Sequence, residues 1–344
     1  MKKILLILSI TLSTVSYSQL TNANFQQAVN ACLSTNPVDG LCTNSQYGIM
    51  PDWDVEDVTD MSGAFRYKMT FNADISNWDV SNVRFMEEMF YEADDFNQPL
   101  NSWNTSDVIT MTEMFGKYEH NPADMIFNQN IGDWDVSNVR YMKGMFSGTK
   151  DFNQDISDWD VSKVTDMSEM FGKSFNQDIS DWNVSNVTNM GWMFTNASSF
   201  NKNMSNWNTS EVYNMIKIFE GAISFNGDIS GWDISNVIYM NFMFSGALSF
   251  NGDISGWDTS SAIGLKYFFK DASSFNQDIG DWNTTNVTDM SFMFKGASSF
   301  NQDIGDWNLL SVNTTANMFE DAISFNKNIN NWNVLAVTDM SFMF

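Results

Sequence analysis

The chain has 344 residues, a formal charge of −25, 15% aromatic residues, two cysteines and one histidine. A chain this acidic repels phosphate backbones and anionic lipid headgroups, which argues against nucleic-acid partners and against membrane insertion. The aromatic content is too high for a disordered chain, so we expect a packed core.

Residues 1–18 have the pattern of a secretory signal peptide. Lys2 and Lys3 precede a mostly apolar segment, residues 4–15, and small residues stand before a cleavage position at Gln19. The apolar segment is short for a membrane span, although a retained anchor is the alternative reading. The pattern therefore predicts a secreted or cell-surface protein.

Residues 19–49 are predicted to form an N-terminal cap, partly helical, ahead of the first repeat. This segment holds the only two cysteines, Cys32 and Cys42. In an exported chain we expect them to pair as a disulfide that closes a short loop. The alternative is two free thiols.

A tryptophan recurs in one frame throughout residues 50–344. The spacing is 25 residues, apart from one step of 31 and one of 23, and a phenylalanine follows each of these tryptophans twelve residues later. The in-frame residues are Trp53, Trp78, Trp103, Trp134, Trp159, Trp182, Trp207, Trp232, Trp257, Trp282, Trp307 and Trp332. A fixed period of this length is typical of a solenoid, in which each unit packs on its neighbours.

Within one unit the spacing of the apolar residues changes. Around Trp159, the residues Ile156, Trp159 and Val161 have the spacing of a strand with one buried face. From Val164 to Phe171 the apolar residues recur every three or four positions, as on one face of a short helix. We therefore predict a repeat solenoid, leucine-rich-repeat-like, with short parallel strands on one face and short helical segments on the other.

The repeat unit resembles a known family. Phe152 to Ser162 (Phe-Asn-Gln-Asp-Ile-Ser-Asp-Trp-Asp-Val-Ser) and Val287 to Phe294 (Val-Thr-Asp-Met-Ser-Phe-Met-Phe) are similar to repeats of the BspA-like leucine-rich-repeat surface proteins, a mycoplasma-lipoprotein-type repeat. The resemblance covers about residues 50–344. It implies a bacterial adhesion-type binding protein and brings no catalytic residues with it.

An asparagine directly follows a phenylalanine in eleven units, from Asn72 to Asn326. A polar residue repeated just before the predicted strand most often satisfies loop backbone, so we predict a stacked ladder of side-chain hydrogen bonds. Contact with a ligand is the alternative.

Two units depart from the period. A long connection between Phe115 and Phe127 holds His120, and a short one, residues 172–174, follows Phe171. Insertions in repeat proteins usually emerge as loops on one side. The chain ends inside a unit at Phe344, which leads us to expect a cap or an anchoring domain beyond it.

The sequence does not predict an enzyme. His120 has no second histidine and no free nucleophilic cysteine to work with. The carboxylates recur with the scaffold, whereas an active site breaks a repeat. We therefore expect no catalytic residues.

Acidic residues flank the in-frame tryptophan in three consecutive units. If neighbouring strands lie about 5 Å apart, these carboxylates crowd together, and hard oxygen ligands at that density suit Ca²⁺. The residues of this calcium hypothesis are Asp133, Asp135, Asp158, Asp160 and Asp181. The alternative is a solvated acidic face, which the lack of an EF-hand loop favours.

One position of the predicted helical segment faces away from its apolar side, two residues before the last phenylalanine. Early units place Glu88, Glu113 and Glu169 there, and later units place aromatic residues. The aromatic residues are Trp192, Phe242, Tyr267, Phe292 and Phe342. An outward aromatic row is a candidate surface for stacking sugars or docking a partner, and packing under the neighbouring loop is the alternative.

The sequence thus favours a binding protein that mediates adhesion to an extracellular protein or polysaccharide. A structural spacer that projects a further domain is the first alternative, and a cation-dependent surface-layer component is the second. No cofactor is expected, apart from the hypothetical Ca²⁺.

Overall fold

A computed structural model describes residues 17–117 and 124–344. Most of the predicted signal peptide, residues 1–16, lies outside the described residues. The same holds for His120, in the segment 118–123.

The prediction of short parallel strands and repeated helical segments is wrong. Across the described residues there is one α-helix, α1 (Phe25–Thr35), one short 3-10 helix (Met50–Asp52), and no strand longer than an isolated bridge. The chain is instead a compact stack of coils, one coil per repeat. The leucine-rich-repeat-like architecture is therefore overturned.

Each coil is a succession of tight turns. In the repeat around Trp232, backbone N–H groups donate to carbonyl oxygens three residues earlier, at 2.9–3.3 Å. The pairs are Ile229–Trp232, Ile234–Val237, Met240–Met243, Phe244–Ala247 and Ala247–Phe250. One such bond closes a β-turn, and a chain of turns brings every third residue inward. Apolar residues therefore recur every three positions without forming a helix. The segment from Ile229 to Trp232 is likewise a turn and not a strand.

The core consists of columns of stacked aromatic rings that run along the stack. Trp159 and Trp182 lie parallel with ring centroids 6.4 Å apart. Phe244 and Phe250 stack within one coil at 3.9 Å, and Phe250 meets Phe275 of the next coil at 5.9 Å. All five side chains are buried, so most of the stability of one coil comes from its neighbours.

Polar groups at the core edge are satisfied between coils. The indole N–H of Trp282 donates to the carbonyl of Ile254 in the preceding coil (3.2 Å), and the other in-frame tryptophans from Trp78 to Trp332 repeat this bond except Trp257. The indole N–H of Trp257 is buried without a partner in the described part of the chain.

The predicted asparagine ladder is confirmed. The backbone N–H of Asn276 donates to Asn251 Oδ1 (2.9 Å), and Asn301 donates in the same way to Asn276 Oδ1 (2.8 Å). Ten such bonds connect the eleven asparagines in an unbroken series from Asn72 to Asn326. The amide oxygen therefore serves the scaffold.

The first coil is covered by α1. This helix buries Phe25, Val29 and Leu33, and the ring of Phe25 meets Trp78 edge-on with centroids 5.9 Å apart. Cys32 in α1 forms a disulfide with Cys42 in the following loop, and both are buried. No helix within residues 17–117 and 124–344 has the length and apolar character to cross a membrane.

Candidate functional site

One backbone position is unusual in every repeat. Ten residues after each in-frame tryptophan the backbone has φ between 51° and 63°, the left-handed region. We call these twelve positions the left-handed row. They are Gly63, Glu88, Glu113, Gly144, Glu169, Trp192, Lys217, Phe242, Tyr267, Phe292, Asn317 and Phe342.

Hydrogen bonding between coils explains the conformation. The N–H of Tyr267 donates to the carbonyl of Ser291 in the next coil (3.0 Å). Its neighbours two residues before and after, Leu265 and Phe269, donate to the next coil in the same direction. The scaffold therefore fixes the left-handed backbone whatever the side chain is.

Glycine is the residue that this conformation favours, yet only two of the twelve positions have it. A residue with a Cβ pays about 1–2 kcal/mol for left-handed backbone, and for a bulky side chain the conformation is a clear outlier. A costly residue retained at a position where glycine would serve points to a role for its side chain. The left-handed row is therefore the candidate site.

The acidic part of the row is paired with basic residues. Arg66 Nη1 lies 2.7 Å from Glu88 Oε2, and Lys143 Nζ lies between Glu113 (3.7 Å) and Glu169 (3.4 Å). Burial raises the pKa of Glu113 above its ordinary value, against the opposing effect of Lys143. These pairs hold the early part of the row as a polar surface.

The later part of the row contains an aromatic ridge, which we define as Phe242, Tyr267 and Phe292. Their rings stack with centroids 4.5 and 4.4 Å apart, and all three side chains are half-buried. Because each ring covers the face of its neighbour, the inner faces of the rings are not free to stack on a sugar. The ridge presents ring edges to the outside.

Lysine ammonium groups flank the ridge. Lys217 Nζ lies 5.0 Å from the ring centroid of Phe242, and Lys266 and Lys295 lie 5.4 and 5.9 Å from those of Tyr267 and Phe292. Such distances allow cation–π attraction. Each of these lysines is also ion-paired with a carboxylate, in turn Glu220 (3.0 Å), Asp289 (4.0 Å) and Glu320 (2.6 Å). The ridge thus combines apolar edges with ion-paired charges.

The other two predicted aromatic residues stand apart from the ridge. Trp192 is half-buried, and none of the described residues stacks a ring on it. Phe342 is 76% exposed. The five aromatic residues therefore divide into one stacked group and two separate side chains.

The structure does not gather the five aspartates of the calcium hypothesis into a metal site. All five are exposed, and within the described residues no group of three or more His, Cys, Asp or Glu is arranged to hold a metal ion. Asp135 Oδ1 and Asp160 Oδ1 accept the backbone N–H of Ser137 and Ser162 at 3.0 Å. The strand that was expected to align them is absent.

Sequence reasoning missed the backbone conformation of the row. The signal was present in Gly63 and Gly144, which share the position with the glutamates and aromatic residues. It also missed a groove beside Trp192, which two irregular repeats form together.

A family model described as "Mycoplasma protein of unknown function, DUF285" matches residues 41–125, 122–190, 172–277 and 253–344. Together these segments cover residues 41–344 and thus the whole repeat region. A comparison with curated proteins and a comparison with solved structures each return no match.

Proposed function

Because the chain belongs to the repeat family described as Mycoplasma protein of unknown function, DUF285, we propose a role that a repeated surface performs. The protein is a non-catalytic binding protein outside the cell, secreted or at the cell surface, and it mediates adhesion. The signal-peptide pattern and the resemblance of the repeat unit to BspA-like surface proteins support this location.

One observation carries the proposal. Phe242, Tyr267 and Phe292 stand on left-handed backbone, half-exposed, where glycine or asparagine would satisfy the same scaffold. Asn317 occupies the position in a later coil with φ of 57°. The aromatic ridge is therefore not required by the fold of a coil.

The ridge fits an extracellular protein better than a polysaccharide. The two stacks cover four of the six ring faces, and the ring edges offer apolar area with ion-paired lysines alongside. Aromatic side chains provide large apolar area at a protein interface, and a polar rim is typical around such an area. A protein partner would therefore meet an apolar centre with a charged rim.

The test is retention of the purified protein on immobilised extracellular proteins and polysaccharides, with calcium and with chelator. The key variant replaces all three ridge residues by asparagine, which left-handed backbone tolerates. The control replaces Glu88, Glu113 and Glu169 by asparagine at the same backbone position. We expect the ridge variant to lose retention on a protein partner and the control to keep it.

Equal retention of the ridge variant and the original protein would refute the role of the ridge. If a folded protein is retained on nothing, the spacer alternative replaces the binding role. Retention that disappears only in chelator would favour the cation-dependent alternative.

A further inference from the structure

The side of the stack is interrupted where a long and a short repeat lie close together, with one regular coil between them. Phe175 stands four positions after Phe171, whereas Phe200 stands six positions after Phe194 in a regular coil. Two adjoining cavities of about 450 and 360 Å³ open at this place. They share Lys117, Ser147, Phe171, Thr195 and Asn196 as lining residues. We call the combined space the Trp192 groove.

Trp192 provides an aromatic wall. It lines the larger cavity, and its backbone N–H donates to the carbonyl of Ile216 (2.8 Å), which holds the residue in place. Unlike the ridge rings, its indole has no ring stacked on it among the described residues. A half-exposed indole offers an apolar face and a polar tip, which suits the C–H face of a pyranose ring.

Three lysines line the same space, and two of them, Lys150 and Lys173, are exposed. Lys117, Lys150 and Lys173 line the smaller cavity, and none of them forms an ion pair within residues 17–117 and 124–344. The chain has 42 acidic and 17 basic residues, so three unpaired lysines around one cavity are unusual for its composition. Asp124 is the one carboxylate among the described lining residues of the smaller cavity, whereas Glu113, Glu169 and Glu220 line the larger one.

The ammonium group of Lys117 is the most telling of the three. Its Nζ is buried without a hydrogen-bond partner among the described residues. Asp94 interacts with it electrostatically, but Asp94 Oδ1 is also buried without a partner, so the two groups do not satisfy each other. A buried charged group without a hydrogen-bond partner is costly, and an anionic ligand group would satisfy it once the Lys117 side chain extends into the groove.

The rest of the lining suits hydroxyl groups. Thr195, Asn196 and Ser147 offer hydroxyl and amide groups, and Glu169 and Glu220 offer acceptors. Tyr91 and Phe171 add apolar area to the described lining, which has no free strand edge with which a peptide could pair. The volume of the larger cavity lies in the range of about 300–1,000 Å³ that is typical of small-ligand sites.

We propose that the Trp192 groove binds a carboxylate-bearing saccharide, with one sugar ring on the indole of Trp192 and its carboxylate among Lys117, Lys150 and Lys173. This inference rests on the proposed extracellular binding role, but not on the aromatic ridge. It names a second ligand class for a second surface of the same stack.

The test is calorimetric titration of the purified protein with a galacturonate hexamer and with the same hexamer after reduction of its carboxylates to alcohols. We expect the acidic hexamer to bind and the reduced one to bind at least about tenfold more weakly, as loss of a charge-assisted hydrogen bond requires. Trp192→Asn and Lys173→Gln should each weaken binding about tenfold or more. The matched controls Tyr213→Asn and Lys327→Gln, at exposed positions outside the groove, should not.

Absence of binding to the acidic hexamer overturns the inference. So does equal binding of the two hexamers, or an effect of Lys327→Gln as large as that of Lys173→Gln. Circular dichroism and the melting temperature of each variant show whether it is folded. If the protein is retained by a protein partner but does not bind the hexamer, the proposed function stands and only the groove assignment fails.

Discussion

Replacing Tyr267 by glycine tests whether the left-handed row serves the fold or the surface. Tyr267 has φ of 58° and stacks on both Phe242 and Phe292. Its backbone N–H donates to Ser291, and glycine keeps that bond. The substitution therefore removes the side chain and leaves the inter-coil hydrogen bond intact.

Four contributions set the size of the effect. Glycine removes a left-handed penalty of about 1–2 kcal/mol. It forfeits two ring stacks at about 0.5–1.5 kcal/mol each and the burial of a half-buried ring at about 1 kcal/mol, and it costs about 0.5–1 kcal/mol in chain entropy. The losses exceed the gain, so we expect a net loss of about 2 kcal/mol in the free energy of unfolding.

The free energy of unfolding is measured by guanidinium denaturation of the full protein, and two further variants serve as references. Phe269→Ala, at a fully buried ring two residues away, should cost about 3–5 kcal/mol. Glu169→Gly relieves the same backbone penalty without losing a ring stack, and should be neutral or stabilising by up to about 1 kcal/mol. If Tyr267→Gly costs as much as Phe269→Ala, the ridge belongs to the core and our reasoning is refuted.

Three other predictions concern the scaffold. Trp232→Phe removes the indole N–H that donates to the carbonyl of Met204. We expect the free energy of unfolding, measured by urea titration, to fall by about 1–3 kcal/mol. An unchanged free energy of unfolding would contradict the role of this bond. Asn251→Ala deletes a link of the asparagine ladder and should cost about 0.5–1.5 kcal/mol, whereas Asn251→Asp, which keeps the acceptor, should cost less. The hydrogen bonds from Ser255 hold the pKa of Asp253 in the folded protein below its ordinary value of 3.8. The stability that these bonds provide is therefore fully present above about pH 4, and it is lost as the pH falls through the lowered pKa of the folded protein. A titration of unfolding free energy from pH 6 to pH 2 should be level at first and fall below about pH 4, and a flat profile would contradict this.

The sequence predicted the buried face of the repeat but not its backbone. Ile156 and Trp159 were expected on the buried side of a strand, and Val164 and Phe171 on the buried side of a helical segment, and all four are buried. The error was in the secondary structure, because a spacing of three residues is shared by a helical face and by consecutive β-turns. In this protein the residue with left-handed backbone distinguishes the consecutive β-turns from a helix. A glutamate or phenylalanine at that position does not indicate a positive φ in the sequence.

The candidate surfaces were predictable to different degrees. The outward direction of Phe242 and Tyr267 followed from the period alone. Their stacking did not, because it depends on the distance between coils. The asparagine ladder was predictable because an amide repeated at a loop has few other partners. The Trp192 groove depends on a long and a short repeat that lie one coil apart, and the spacing of residues along the sequence does not give the shape that results.

The hydrogen bonds between coils also have an electrical consequence. Between the coils around Trp134 and Trp159, three backbone N–H groups point towards the later coil, and two, those of Asn153 and Thr165, point back. Each peptide carries a dipole of about 3.5 D, and aligned peptides add up along an axis. The forward N–H groups outnumber the backward ones, so this interface has a net dipole with its positive end towards the higher residue numbers. Relative to the chain direction this polarity is the reverse of that of an α-helix.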